Sequence, residues 1–167
     1  MDDASETRID KLYRIIEESR FGIHDLSRTE LDPVNHLPRF NMPLELGIFL
    51  AAKRFGGEQQ NVKRCLVMDI EQYRYQRFIS DLAGVDIQPH NAEPRRMVGR
   101  VRDWLGVVSK RRTIPPTTAI LESYDRFVAA LPKLARNAGF ELAELGYADF
   151  ERLTLFWVKG SRISYRS

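Results

Sequence analysis

The sequence is short of cysteine and has no long apolar run. Cys65 is its one cysteine, so no internal disulfide staples the fold, and a reducing cytoplasm is the expected setting. No window reaches the roughly 18 consecutive apolar residues that a membrane span requires. The acidic start, Met1-Asp2-Asp3-Ala4-Ser5-Glu6, lacks the cationic, apolar character of a secretory signal, so no membrane partner is expected. Surplus charge is scarce too: 26 Lys and Arg face 23 Asp and Glu, a net of +3. Twenty of the basic residues are Arg. The planar fork of Arg favours phosphate and carboxylate, but a codon bias produces the same imbalance. What is present is ordinary soluble usage over 167 residues, 43% hydrophobic and 29% charged. That excludes a disordered, collagen-like or disulfide-scaffold chain and allows a real core.

Apolar spacing predicts an amphipathic helix over 5–20, with Ile9, Leu12, Tyr13 and Ile16 inward. Residues 21–26 read as a buried strand feeding a loop over 29–41 that holds Pro33 and Pro38. Residues 43–55 read as a helix buried on most of its circumference, with Asn41 or Met42 at its cap. A second strand is expected over 64–69, then a helix over 72–83 with Tyr73, Phe78, Ile79 and Leu82 inward. An extended piece over 85–87 precedes a helix from Pro94 to about Leu105. Beyond the break at Pro115-Pro116, helices are expected over 117–137 and 147–158, with a frayed tail after Gly160. Strands alternating with helices predict an α/β fold whose parallel sheet pairs 20–26 with 64–69 across helix 43–55. The expected organisation is one domain: an α/β core over 1–112 with a helical extension over 113–167 packed on it.

In open α/β sheets, ligands bind at the carboxyl ends of strands beside helix N-termini. His24-Asp25-Leu26-Ser27-Arg28 and Asn41-Met42-Pro43-Leu44-Glu45 would meet there. Glu45 stands out because a carboxylate in the first turn of an apolar helix needs a partner or a task. It either completes a capping box and complements the helix dipole, or it does chemistry. Asp25 and Ser27 either contact a ribose or base, or cap the next turn. His24, His36 and His90 do not assemble with Cys65 at metal-ligand spacing, so no metal is expected. Cys65 beside Leu66 and Val67 reads as a small core residue rather than a nucleophile. There is no Gly-x-Ser-x-Gly elbow and no Gly-rich phosphate loop. The basic run Arg95, Arg96, Arg100, Arg102, Lys110, Arg111 and Arg112 has only Trp104 as an aromatic neighbour and reads first as a solvated helix face.

Three strings carry a resemblance: Ile15-Ile16-Glu17-Glu18-Ser19-Arg20-Phe21-Gly22-Ile23-His24-Asp25-Leu26-Ser27-Arg28, then Arg39-Phe40-Asn41-Met42-Pro43-Leu44-Glu45-Leu46-Gly47, then Arg64-Cys65-Leu66-Val67-Met68-Asp69. Over roughly 8–108 the chain resembles the superfamily of nucleoside 2-deoxyribosyltransferases and bacterial nucleotide-binding proteins similar to Toll/interleukin-receptor domains. The resemblance implies a flavodoxin-like fold, helices on both faces of the sheet, and a nucleotide, nucleoside or NAD ligand with no cofactor. It places Glu45 on the family's catalytic glutamate at the ribosyl C1′, with Asp25 and Asn41 near the ribose. The family's first strand and first helix have no counterpart, and residues 1–7 correspond to the loop after them. The expectation is a start codon placed too late or a shortened member, with an exposed sheet edge that favours a homo-oligomer. Two functions follow: cleavage or transfer at an N-glycosidic bond, or non-catalytic nucleotide sensing or protein interaction in bacterial defence or signalling. Nucleic-acid binding through 95–112 is the third and weakest.

Overall fold

The structure is a computed structural model and describes residues 6–111 and 113–163, with side chains as far as Gly160. Most of the loop expected over residues 1–7, together with Arg112, lies outside the described residues. The chain divides into two compact units, Met1–Ile114 and Pro115–Ser167.

A small parallel sheet organises the first unit. β1 (Phe21–Asp25) pairs with β2 (Arg64–Asp69) in the register Phe21↔Arg64 to Asp25↔Met68. β2 pairs with β3 (Gln88–Pro89) through Met68↔Gln88 and Asp69↔Pro89, giving the order β1-β2-β3. Both pairings are parallel, as expected for 20–26 and 64–69. Parallel neighbours cannot be joined by a tight turn, and a helix makes the return between them. After α1 (Arg8–Glu18) and β1, that helix is α2 (Asn41–Phe55), followed by the single turn α3 (Glu58–Asn61). No gap separates β1 from β2. The other edge of β1 carries no strand among the described residues, and Ile23 is 44% exposed.

Alternation along β1 assigns the layers. Gly22 and His24 share one face with Phe49 of α2, whose ring meets His24 edge-on at 5.3 Å. Phe21 points the other way and meets Trp104 of α4 (Pro94–Val108) edge-on at 5.8 Å. Helices therefore flank both faces. The core is Leu26, Leu46, Val67, Tyr75 and Ile87, with Cys65, Phe78, Ile79 and Leu82 packed against it. Cys65 is thus a packing residue, and burial pushes its thiol up.

Several elements differ from expectation. α2 buries only Leu46 and Phe49, leaving Leu44 and Phe55 exposed, so it presents one face rather than most of its circumference. Residues 72–83 are not one helix. Tyr73 takes φ 66°, a left-handed conformation that interrupts an α-helix, and two short 3₁₀ turns follow at Arg74–Arg77 and Ser80–Leu82. Tyr75 enters the core in place of Tyr73, which is 60% exposed. The extended piece expected over 85–87 sits later, at Gln88–Pro89, with Ile87 buried just before it.

α1 is shorter than 5–20, capped by the Thr7 hydroxyl oxygen, which accepts from the Asp10 N–H at 3.2 Å. Of its expected inward face only Ile16 is buried, while Ile9 and Tyr13 stay largely exposed. Its C-terminus is held by Lys63, 1% exposed, whose ammonium donates to the carbonyls of Ile16, Glu17 and Ser19 and lies 5.2 Å from the Phe49 ring centroid. A cation at a helix C-terminus is favoured by the dipole and satisfies orphan carbonyls. Burial nevertheless pulls the Lys63 ammonium below its ordinary value, with Glu17 opposing that shift.

The second unit is a helical hairpin of α5 (Thr117–Asn137) and α6 (Tyr147–Ile163). α6 runs past Gly160, where a frayed tail was expected. Phe127 packs against Phe150 and Trp157 at ring distances of 5.8 and 5.9 Å. α5 ends in a Schellman arrangement, with Phe140 N–H to the Ala135 carbonyl and Gly139 N–H to that of Arg136, both 3.0 Å. Gly139 at φ 85° supplies the left-handed residue this requires.

Two outcomes test this packing. A Cβ at Gly22 would stand 2.8 Å from both His24 Nε2 and Phe49 Cε2, so Gly22→Ala should cost about 1–3 kcal/mol in urea unfolding. His24 is 5% exposed, its Nε2 has no partner among the described residues, and burial pulls its pKa below 6.5. The unfolded chain then binds a proton the folded chain refuses. Stability present above pH 6.5 should fall as pH drops below it, by up to about 1.4 kcal/mol per unit, and His24→Phe should remove that component of the slope.

Candidate functional site

Parallel pairing gathers the three strand ends at one edge of the sheet, each ending in or followed directly by a titratable residue. Asp25 closes β1, Asp69 closes β2, and His90 follows β3. The N-terminal turns of α2 lie at the same edge, because a helix linking parallel strands must run back along them.

Asp69 is fully buried. Its Oδ1 accepts from the Ile70 N–H at 2.7 Å and from Arg74 Nε at 2.9 Å, and Arg74 Nη2 completes the ion pair at 2.7 Å. Arg74 Nη2 also donates to the Leu26 carbonyl at 2.9 Å and to Thr29 Oγ1 at 3.4 Å. One guanidinium thus ties the end of β2 to the segment leaving β1. Asp69 Oδ2 has no partner among the described residues.

Asp25 is the accessible carboxylate of the edge, with a side chain 31% exposed. Its Oδ1 accepts from the Ser27 N–H at 3.0 Å and its Oδ2 from the Ser27 hydroxyl at 2.9 Å. His90 Nε2 lies 3.2 Å from Asp25 Oδ1, and the imidazole is nearly fully buried. The turn-capping role weighed for Asp25 and Ser27 is therefore present. The His90 contact adds to it and follows from no sequence motif.

Glu45 is half-buried. α2 begins at Asn41 behind Phe40, which makes no side-chain cap bond. Asn41 is therefore the first helical residue rather than the cap, and Glu45 sits in the second turn rather than the first. Capping boxes act at the third helical position, here Pro43, so Glu45 lies beyond capping reach. No hydrogen bond or ion pair to its carboxylate forms among the described residues, including to Asp25, Ser27 or Asn41. Asn41 and Glu45, four residues apart, share one face of α2, with Asn41 exposed.

Two clefts lie nearby. One, of about 250 Å³, is lined by Arg28, Glu30, Leu31, Asp32, Pro33 and Arg39 of the loop after β1. There Asp32 accepts from Arg39 and from the Val34 N–H, and the Arg39 bond holds its carboxyl below the usual carboxylate range. The other, of about 210 Å³, lies between the 72–75 turn and residues 84–87, ahead of β3. Glu45 lines neither.

The basic run does not form one stripe. At about 100° per residue, Arg95 and Arg102 fall on one side of α4 and Arg96 and Arg100 on another. Arg96 pairs with Glu93 at 3.4 Å, and Arg102 with Asp103 at 2.9 Å and the Ile114 carbonyl at 3.2 Å. Among the described residues no group of three or more His, Cys, Asp or Glu is placed to hold a metal ion. No helix there is long and apolar enough to cross a membrane.

No protein-family model, curated protein or solved structure matches this chain. Asp69, Arg74 and His90 were missed from sequence, although one signal pointed to the first. Both apolar strands, Phe21–Asp25 and Arg64–Asp69, end in aspartate.

Removing one member of the Asp69–Arg74 pair leaves the other charge buried. Arg74→Met should lose about 3–5 kcal/mol in urea unfolding. Adding Asp69→Asn to that variant should restore at least about 1 kcal/mol, a coupling read by the double-mutant cycle.

Proposed function

We propose that this chain is a nucleotide- or nucleoside-binding protein of flavodoxin-like topology, and that its reaction is cleavage or transfer at an N-glycosidic bond of a nucleoside, nucleotide or NAD. Glu45 carries the reading. It is a half-buried carboxylate without a capping role or a partner among the described residues, on the helix that starts at the carboxyl edge. As the base leaves, the ribosyl C1′ gains oxocarbenium character, which a carboxylate stabilises or attacks. Asp25, Ser27 and Asn41 are the substrate contacts, Asp25 and Ser27 through acceptors already oriented by their mutual bonds. The resemblance around Glu45-Leu46-Gly47 supports the same assignment.

A second reading has its own support. Asp25 already holds three donor contacts, and Glu45 lines neither cleft, which suits a non-catalytic nucleotide-sensing or interaction module. The two readings separate in one assay. The purified chain is incubated with NAD and a panel of nucleosides, and free base is measured by chromatography. Catalysis predicts base release that Glu45→Gln lowers by about a hundredfold or more at unchanged melting temperature. Saturable binding of a nucleotide with no base released retires the enzyme and leaves the sensor.

A further inference from the structure

His90 sits just beyond the shortest strand, with its side chain 3% exposed and both ring nitrogens engaged. Nδ1 accepts from the Ala92 N–H at 3.1 Å, and an atom accepting from a backbone amide carries no proton. That assigns the imidazole proton to Nε2, which donates to Asp25 Oδ1 at 3.2 Å. The backbone is bent to make the first bond. Asn91 and Ala92 take φ of 54° and 57°, consecutive left-handed residues without glycine. The Asn91 N–H donates to the Ile70 carbonyl at 2.9 Å and the His90 N–H to that of Asp69 at 3.0 Å, so the turn is tied to the end of the central strand.

We propose that His90 is a positioning residue for Asp25: the left-handed turn at Asn91–Ala92 fixes its Nε2–H tautomer, and that N–H holds the Asp25 carboxylate as an oriented acceptor at the open edge of the sheet. With Oδ1 taken by His90 and the Ser27 N–H, and Oδ2 by the Ser27 hydroxyl, one lone pair of Oδ2 is left for a ligand donor. A hydroxyl or amine satisfies it; an anion does not. This deepens the nucleoside reading, since sugars carry such hydroxyls, but the arrangement of His90 and Asp25 is testable without any ligand.

The test uses the full chain labelled with ¹⁵N. Long-range imidazole correlations should show His90 with a protonated Nε2 and an unprotonated Nδ1. The Nε2–H should be slow to exchange in the wild type and fast in Asp25→Ala. A protonated Nδ1, averaged nitrogens, or an Nε2–H indifferent to Asp25→Ala overturns the proposal. Binding of adenosine and NAD is then measured by calorimetry. His90→Ala should weaken it about tenfold, and His90→Gln, which keeps an N–H donor near the Nε2 position, should recover most of that loss. Equal weakening by both variants at equal melting temperature also overturns it. If the wild type binds neither probe, the nucleotide reading fails, and the imidazole spectrum still decides the role of His90.

Discussion

The first unit depends on a buried charge pair at the end of its central strand. Asp69 has no access to water, and Arg74 reaches it from a 3₁₀ turn rather than from a regular helix. Such pairs contribute little net stability against an apolar replacement, yet either half alone is costly. The pair therefore acts chiefly as a constraint on geometry. It fixes where the chain goes after β2, and through the Leu26 carbonyl it fixes where the chain leaves β1. The same guanidinium thereby anchors the segment just beyond Asp25.

The edge also shows how strain and polarity are distributed. Tyr73, Asn91 and Ala92 all have positive φ, and they bracket the ends of β2 and β3. Left-handed non-glycine residues persist where the surroundings over-determine them. For Asn91 and Ala92 the fixed partners are the Ile70 carbonyl and the imidazole of His90, a residue itself tied to the Asp69 carbonyl. The opposite end of the sheet is held differently, by a buried lysine that collects the carbonyls of a helix terminus.

The strands and their parallel pairing were legible in the sequence because buried parallel strands are short, continuous apolar runs. Arg64–Asp69 is such a run; Phe21–Asp25 is one only in part, since His24 alone is buried within it and Ile23 is exposed. The helix expected over 72–83 was not there, because spacing of three and four residues is also met by successive 3₁₀ turns. Only the backbone of Tyr73 decides between them. β3 was misplaced because two residues, one of them proline, carry no periodicity. His90 was missed for the same reason, since its partner is set by a strand the sequence does not announce. Glu45 was found, but its capping role depended on a helix start two residues later than the observed one. That shift moved the carboxylate out of capping range and left it without a structural task.

α1 illustrates a different consequence. It buries one side chain, Ile16, and is secured by a lysine clamp at its end. Detaching it would expose Ile16 and the clamp, far less hydrocarbon than opening the whole core. Apolar exposure raises heat capacity and polar exposure lowers it, so this local opening carries a much smaller heat-capacity change than global unfolding. Its free energy therefore varies with temperature with less of the curvature that makes whole domains weaken in the cold. The helix and the sheet beneath it respond differently to temperature within one unit.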